Sequence, residues 1–464
     1  MKKIITIAFL FAVTVTTYSQ SLRYQDLGIL FSKNDDNGSA RFTAMSGAFG
    51  ALGGDVSSMS VNPAGISVFT NSYFTGTINS RNTGIAATYG NAANLNDREK
   101  TTTNNKYFNL SHAGAVLVFD SAYRSDWNKF AIGFNYRITN DFENSFSAQG
   151  NEAVTRFDTN PRNPGTIYNY TVGQLYDTNY NGETTELNIA FSSVHKNKLH
   201  VGLGLNFYDL NFTQQSVLTE LNSDKDGNIL DVELYQENLT TGTGFSANAG
   251  FIYKANQNFR FGLAYQTPTW YTEILQDTNY NQDSDIDIGE TAFFPDEVYS
   301  FSENNPRQFI SYKLKTPSKV TASAAFIFGK DGLISLDYIN RNYKNIKLSN
   351  GEFIKENDFF ENDLRNTHSF NLGTEWRIDR ISVRGGYKFE QDPSKSSIAS
   401  DNLKGYSLGA GYNFGNMKLD FSFSNNNRTG VYNLYSNLNT EPSVNSSELK
   451  IDNKTITASI SFNL

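Results

Sequence analysis

The 464-residue chain has no cysteine, which rules out a disulfide framework, a thiolate metal site and a cysteine nucleophile. It has only 4 histidines. His112, His195, His200 and His368 are scattered and show no spacing that pairs them as metal or haem ligands, so hemin reception stays a weak alternative. No basic block offsets the formal net charge of -8, and nucleic acid is not an expected partner. No run is long enough for a membrane helix, which needs roughly 20 apolar residues. The apolar stretch at residues 4–13 follows Lys2 and Lys3 and precedes Thr17, Tyr18 and Ser19. That order is an export signal, with cleavage expected after Ser19, although an N-terminal core strand or helix is the other reading of 1–19.

Aromatic and small residues are plentiful: 36 Phe, 26 Tyr and 35 Gly, a mix that favours strands and aromatic girdles. The mean hydropathy of -0.47 would suit a soluble protein. It suits a membrane barrel equally, because lipid-facing and lumen-facing residues alternate and the average stays polar. The alternation is plain at the end of the chain, where Ile456, Ala458, Ile460, Phe462 and Leu464 interleave with Thr457, Ser459, Ser461 and Asn463. It recurs at Phe130, Ile132, Phe134 and Tyr136, and at Leu199, Val201, Leu203, Leu205 and Phe207.

This periodicity predicts an all-β, transmembrane antiparallel barrel over 72–464. Its fourteen strands fall near 72–90, 107–120, 127–146, 183–195, 198–217, 244–254, 257–275, 317–329, 331–347, 366–378, 380–391, 404–415, 416–426 and 454–464. Short links such as 196–197 and 255–256 alternate with long ones at 91–106, 147–182, 218–243, 276–316, 348–365, 392–403 and 427–453. Periplasmic turns opposite external loops have that pattern. A soluble sandwich or propeller would explain the alternation of residues but not that of the loops. Assembly signals commonly end on an aromatic residue; here Leu464 is last, with Phe462 on the same face.

Residues 20–71 do not alternate. Phe42, Met45, Phe49 and Leu52 sit among Gly47, Gly50, Gly53 and Gly54, followed by Asp55 and the run Asn62, Pro63, Ala64 and Gly65. Glycine allows close packing and tight turns, so the segment suits a plug within the barrel; a periplasmic tail is the alternative. Together with the fourteen-strand pattern, the segment resembles the FadL/TodX family of outer-membrane transporters for long-chain fatty acids and other hydrophobic compounds. The resemblance implies that Asn62, Pro63 and Ala64 belong to a hatch. It also implies an external hydrophobic groove, a lumen pocket, and a sideways exit made by a kink in the third strand.

Two loop features add candidates. Phe293, Phe294, Pro295, Val298, Tyr299 and Phe301 are unusually apolar for an outer loop, and either meet ligand or pack the loop's own core. Asn222, Asp224, Asp226, Gly227, Asn228 and Glu233 have the spacing of a calcium loop, but Asp226-Gly227 is also a strong hairpin tip.

The expected function is passive uptake of hydrophobic small molecules, foremost long-chain fatty acids, by a monomer in contact with outer-membrane lipid, lipopolysaccharide and the barrel-assembly machinery. A porin and a structural or adhesive barrel are the alternatives. No enzyme is expected; chain order alone does not fix a catalytic triad for a barrel lipase or protease. No cofactor is expected beyond Ca²⁺ in the outer loop.

Overall fold

In lipid, backbone N–H and C=O groups find no water, so strands can cross only as a closed ladder. The computed structural model describes residues 22–35, 37–90, 98–120, 126–152, 155, 158–159, 165–278, 289–294, 297–300, 308–435 and 446–464. The expected export signal at 1–19 lies outside them. Fourteen antiparallel strands close into a barrel. They are β1 (Tyr73–Tyr89), β2 (Glu99–Asp120), β3 (Trp127–Asp141, continued by Asn144–Gly150), β4 (Tyr170–His195) and β5 (Leu199–Ser223). Next come β6 (Ile229–Lys254), β7 (Phe259–Gln266, continued by Trp270–Thr278), β8 (Gln308–Lys315, continued by Lys319–Phe328) and β9 (Gly332–Asn342, continued by Lys347–Ser349). The last are β10 (Asn366–Ile378), β11 (Ile381–Glu390), β12 (Leu403–Asn413), β13 (Met417–Tyr432) and β14 (Ser447–Asn463). Closure is made by β14 on β1, in register from Tyr73–Asn463 to Thr88–Glu448.

The expected faces hold. On β14, Ile456 is 58% exposed while Thr457 is 2% exposed. On β5, Leu203, Leu205 and Phe207 are exposed while His200 and Asn206 are buried. An apolar outer belt around a polar interior is the reverse of a soluble protein. It marks an outer-membrane barrel. No described helix is long and apolar enough to cross a membrane, which has no bearing on strands.

Number and order of the strands match expectation, but several are longer. β2 starts at Glu99, β4 at Tyr170, β6 at Ile229 and β14 at Ser447, and β13 runs to Tyr432. Much of the expected loops 91–106, 147–182, 218–243 and 427–453 is therefore strand. Only about 9–11 residues of a strand lie in lipid. Beyond them both faces are polar, as in Thr101, Thr102, Thr103, Asn104 and Asn105, so the apolar period fades while pairing persists from Ile85–Thr103 to Tyr89–Glu99. The expected loop 276–316 also carries a hairpin, Gly289–Phe294 and Glu297–Ser300, added to β6. The expected loop 348–365 holds a helix, Ile354–Asp363.

Two substitutions on β13 test the belt. Phe421 is 50% exposed and Val431 is 79% exposed. At about 3.3 Å rise per residue, the outer end of β13 clears a lipid band about 25 Å tall. Phe421→Arg should cost about 2–4 kcal/mol of insertion free energy, and Val431→Arg close to none. Folding into liposomes across a urea series measures both; equal losses would refute the assigned belt.

Candidate functional site

The segment ahead of β1 folds through short caps suited to its small residues. Helix α1 spans Tyr24–Leu30 and α2 spans Ala40–Ala44. Ser39 caps α2 by accepting from the Phe42 N–H at 3.1 Å, and Asp55 accepts from the Ser39 hydroxyl at 2.7 Å and the Ser57 N–H at 2.9 Å. Asn62 opens a 3₁₀ turn, Pro63–Val68, with Pro63 where a missing N–H costs nothing. Gly53 has φ +61°, and a Cβ there would lie 2.5 Å from the Gly65 carbonyl oxygen.

This segment sits against the inward face of the wall. Asn62 donates to the Gly50 and Phe251 carbonyls at 2.8 and 3.0 Å. Its turn seats in notches: a Cβ on Gly202 would lie 2.4 Å from Ala64 N, and one on Gly250 2.4 Å from Asn62 Oδ1. Further bonds circle the barrel: Asn248 to the Met59 carbonyl, Gly50 N–H to Asp337, Ser407 to the Ala44 carbonyl, Thr43 with Ser422, and Ala40 N–H to Ser459. Phe42, Met45, Phe49 and Leu52 pack with Ala325 and Leu333. Met59 and Ile66 pack with Val116, Ala131 and Ala190. One ion cluster fastens the segment. Arg41 donates to Glu375 at 2.6 and 3.3 Å, and Arg384 bridges Glu375 at 2.7 Å and Asp420 at 2.6 Å.

The backbone ladder of the wall is interrupted between β2 and β3. The β2–β3 ladder ends at His112–Arg137, while β3 stays paired with β4 through Asp141 and again over Asn144–Gly150. The register shifts at the same level, between Thr77 and Ile78 against β2 and between Ile138 and Asn140 on β3. The β3 carbonyls beyond this point accept from other donors. Asn37 Nδ2 reaches the Ile138 carbonyl at 3.0 Å and the Asp35 N–H reaches Thr139 at 2.6 Å. Arg81 donates to the carbonyls of Asp141 and Glu143 at 3.0 and 2.6 Å. Thr103 and Asn105 donate to Ser145 at 2.8 and 2.9 Å, and Thr101 donates to Ser147. Along 138–147 of β3, side chains and the N-terminal segment thus stand where a backbone ladder to β2 would be.

Above residues 40–68 lies the largest apolar cluster. Leu27 and Phe31 of the N-terminal segment meet Phe142, Phe212, Tyr271, Tyr312 and Phe360. Phe360 belongs to α3 (Ile354–Asp363). Phe31 stands edge-on to Phe142 and Phe212, with centroids 5.9 and 5.6 Å apart. This cluster centres on α1 and α3 rather than on residues 41–65, beside which an apolar pocket is expected. The sequence carries this signal: Tyr24, Leu27, Leu30 and Phe31 follow helical spacing ahead of the glycine-rich run.

The two loop candidates fare differently. Asp224 sits at a hairpin tip, where it accepts from the N–H groups of Asp226 and Asn228 and from the Asn228 side chain. These bonds, the side-chain one foremost, hold its carboxyl below the ordinary value. Asn222 pairs with Leu230 on the buried face, whereas Glu233 pairs with Thr219 on the other, so the calcium set does not converge. Among the described residues no group of three or more potential ligands is placed to hold a metal. Phe293, Phe294, Val298 and Tyr299 fall in the hairpin added to β6 rather than in an open loop. Pro295 and Phe301 lie outside the described residues.

The chain shares its fold with solved channels. A FadL homologue from Pseudomonas aeruginosa matches with TM-score 0.56 and 14% identity over 93% of this chain and 99% of that one. The CymD monoaromatic hydrocarbon channel matches with TM-score 0.53 and 13% identity over 93% and 99%. The Pseudomonas putida toluene transporter TodX matches with TM-score 0.50 and 12% identity over 93% and 99%. At such identities the likeness is one of fold. No family model matches the sequence, and no curated protein matches it.

The ion cluster makes an unequal pair of predictions. Glu375→Gln leaves Arg41 facing a neutral amide in a buried site and should destabilise by about 3–5 kcal/mol. Arg41→Gln should cost less, because Glu375 keeps Arg384 and Arg377. Urea unfolding of the inserted barrel measures both, and an equal or reversed order would contradict the cluster's role.

Proposed function

We propose that the protein takes up hydrophobic small molecules across the outer membrane, with long-chain fatty acids as the foremost cargo. The observation that carries this reading is the β2–β3 seam, where the wall is held by side chains and the plug. A lipophile crosses a polar surface layer poorly and gains by leaving sideways into lipid, where its apolar area stays out of water. The aromatic cluster around Phe31, Phe142 and Phe212 offers a site of that chemistry on the outer side. Occupying it requires α1 or α3 to move. The N-terminal segment that follows α1 bonds the β3 carbonyls at Ile138 and Thr139, so its motion loosens the seam.

Two fold neighbours described as a hydrocarbon channel and a toluene transporter support apolar cargo. A segment bonded to strands around the inward wall supports this reading over an open porin. On this reading residues 41–65, with Asn62, Pro63 and Ala64, act as the hatch.

A cysteine-free chain allows a clean test. The Ser145 hydroxyl donates to Asn105 at 2.6 Å across the seam. The double variant Asn105→Cys, Ser145→Cys, oxidised in cells, should block fatty-acid uptake, and a reductant should restore it. Uptake that continues through a crosslinked seam would overturn the lateral route. Deleting residues 41–60 should raise leakage of small polar antibiotics while the barrel still inserts. Unchanged leakage with unchanged uptake would reduce the segment to a tail.

A further inference from the structure

The charges on the inward wall are not evenly matched. At the end of the lumen where β6 turns into β7, Lys254 stands directly opposite Arg260 on the neighbouring strand. Like charges facing each other across a ladder repel, and a fold that keeps them needs a counter-charge. None comes from nearby side chains among the described residues. The charged groups acting on Lys254 are Arg260 and Lys129. Those acting on His200 are Lys254, Arg260 and Lys129. Lys129 alone has a carboxylate within reach, Asp120. Across the lumen, by contrast, Arg41, Arg377 and Arg384 share Glu375 and Asp420.

Three of these four groups reach the underside of the N-terminal segment, and Lys254 stands beside them. Lys129 donates to the Phe69 carbonyl, and Arg260 donates to the Leu52 carbonyl at 3.2 Å. The His200 Nδ1 lies 2.8 Å from the Ser67 hydroxyl. Its Nε2 is buried, in a residue only 2% exposed, with no hydrogen-bond partner. A neutral ring that accepts the Ser67 hydroxyl proton at Nδ1 carries its own proton on Nε2, where it can meet an anion.

We infer that this mouth of the barrel is an oxyanion site that takes a carboxylate or phosphate group on Lys254 and Arg260, with Lys129 and His200 beside it. Arginine supplies a planar fork and lysine a point charge, a donor set matched to either group. The inference stands apart from the transport reading, since it concerns what the cationic wall holds and not what the barrel carries.

The test uses the full chain in a micelle of neutral detergent. Calorimetric titrations are run with inorganic phosphate, octanoate and the uncharged 1-octanol. Phosphate, octanoate or both should bind; octanoate alone assigns the site to carboxylates on a chain, and phosphate alone to free anions. Lys254→Gln and Arg260→Gln should each weaken that binding about tenfold, the loss of one charge-assisted hydrogen bond. Lys254→Arg should retain it. Lys198→Gln, at an exposed turn lysine nearby, should leave it unchanged. Heat-modifiable gel migration checks that each variant is folded. The proposal is overturned if neither anion binds, if octanol binds as well as octanoate, or if folded Lys254→Gln and Arg260→Gln bind undiminished.

Discussion

A strand in lipid must find a hydrogen-bond partner on both of its edges, and the rest of the molecule follows from that constraint. It forces β14 back onto β1 and sets the alternation of apolar outer and polar inner residues. It also gives meaning to the place where β3 leaves its neighbour. β3 parts from β2 above Arg137, yet its carbonyls still have donors from Asn37, Asp35, Arg81, Thr103 and Asn105. A backbone ladder is cooperative along its length. A row of side-chain donors can be released one at a time, and two of these come from the N-terminal segment itself. Wall and N-terminal segment are therefore one mechanical unit at this point.

The seating of the N-terminal segment depends on smallness. Glycines on both partners remove the side chains that would hold them apart: Gly53 against Gly65, Gly202 against Pro63 and Ala64, Gly250 against Asn62. Closeness in turn lets backbone carbonyls and serine hydroxyls of the segment and the wall reach one another, so many polar groups of the inner wall bond to protein. The cation distribution divides the inner wall. Arg41, Arg377 and Arg384 gather around Glu375, where the N-terminal segment is fastened. Lys254 and Arg260 face each other with no acid beside them among the described residues. Charge thus anchors the N-terminal segment on one side and leaves an unbalanced surface on the other.

The sequence by itself determined the barrel, its strand count and which face of each strand meets lipid, because a period of two over a lipid-spanning length has few other physical explanations. It also marked Asn62, Pro63, Ala64 and Gly65 as a turn needing close approach. Strand length was hidden once both faces became polar, as in β2 from Glu99 to Asn105. What only the tertiary structure decided is where distant segments meet. Leu27 and Phe31 reach Phe212 and Phe360, Asn37 reaches Ile138, and Arg41 reaches Glu375. It also sent Asn222 and Glu233 to opposite faces of one hairpin, undoing a ligand spacing that looked sound along the chain. Local pattern fixes direction relative to a sheet, whereas contacts across a lumen depend on barrel closure and on how a short segment threads it. Neither leaves a periodic trace in the residues concerned.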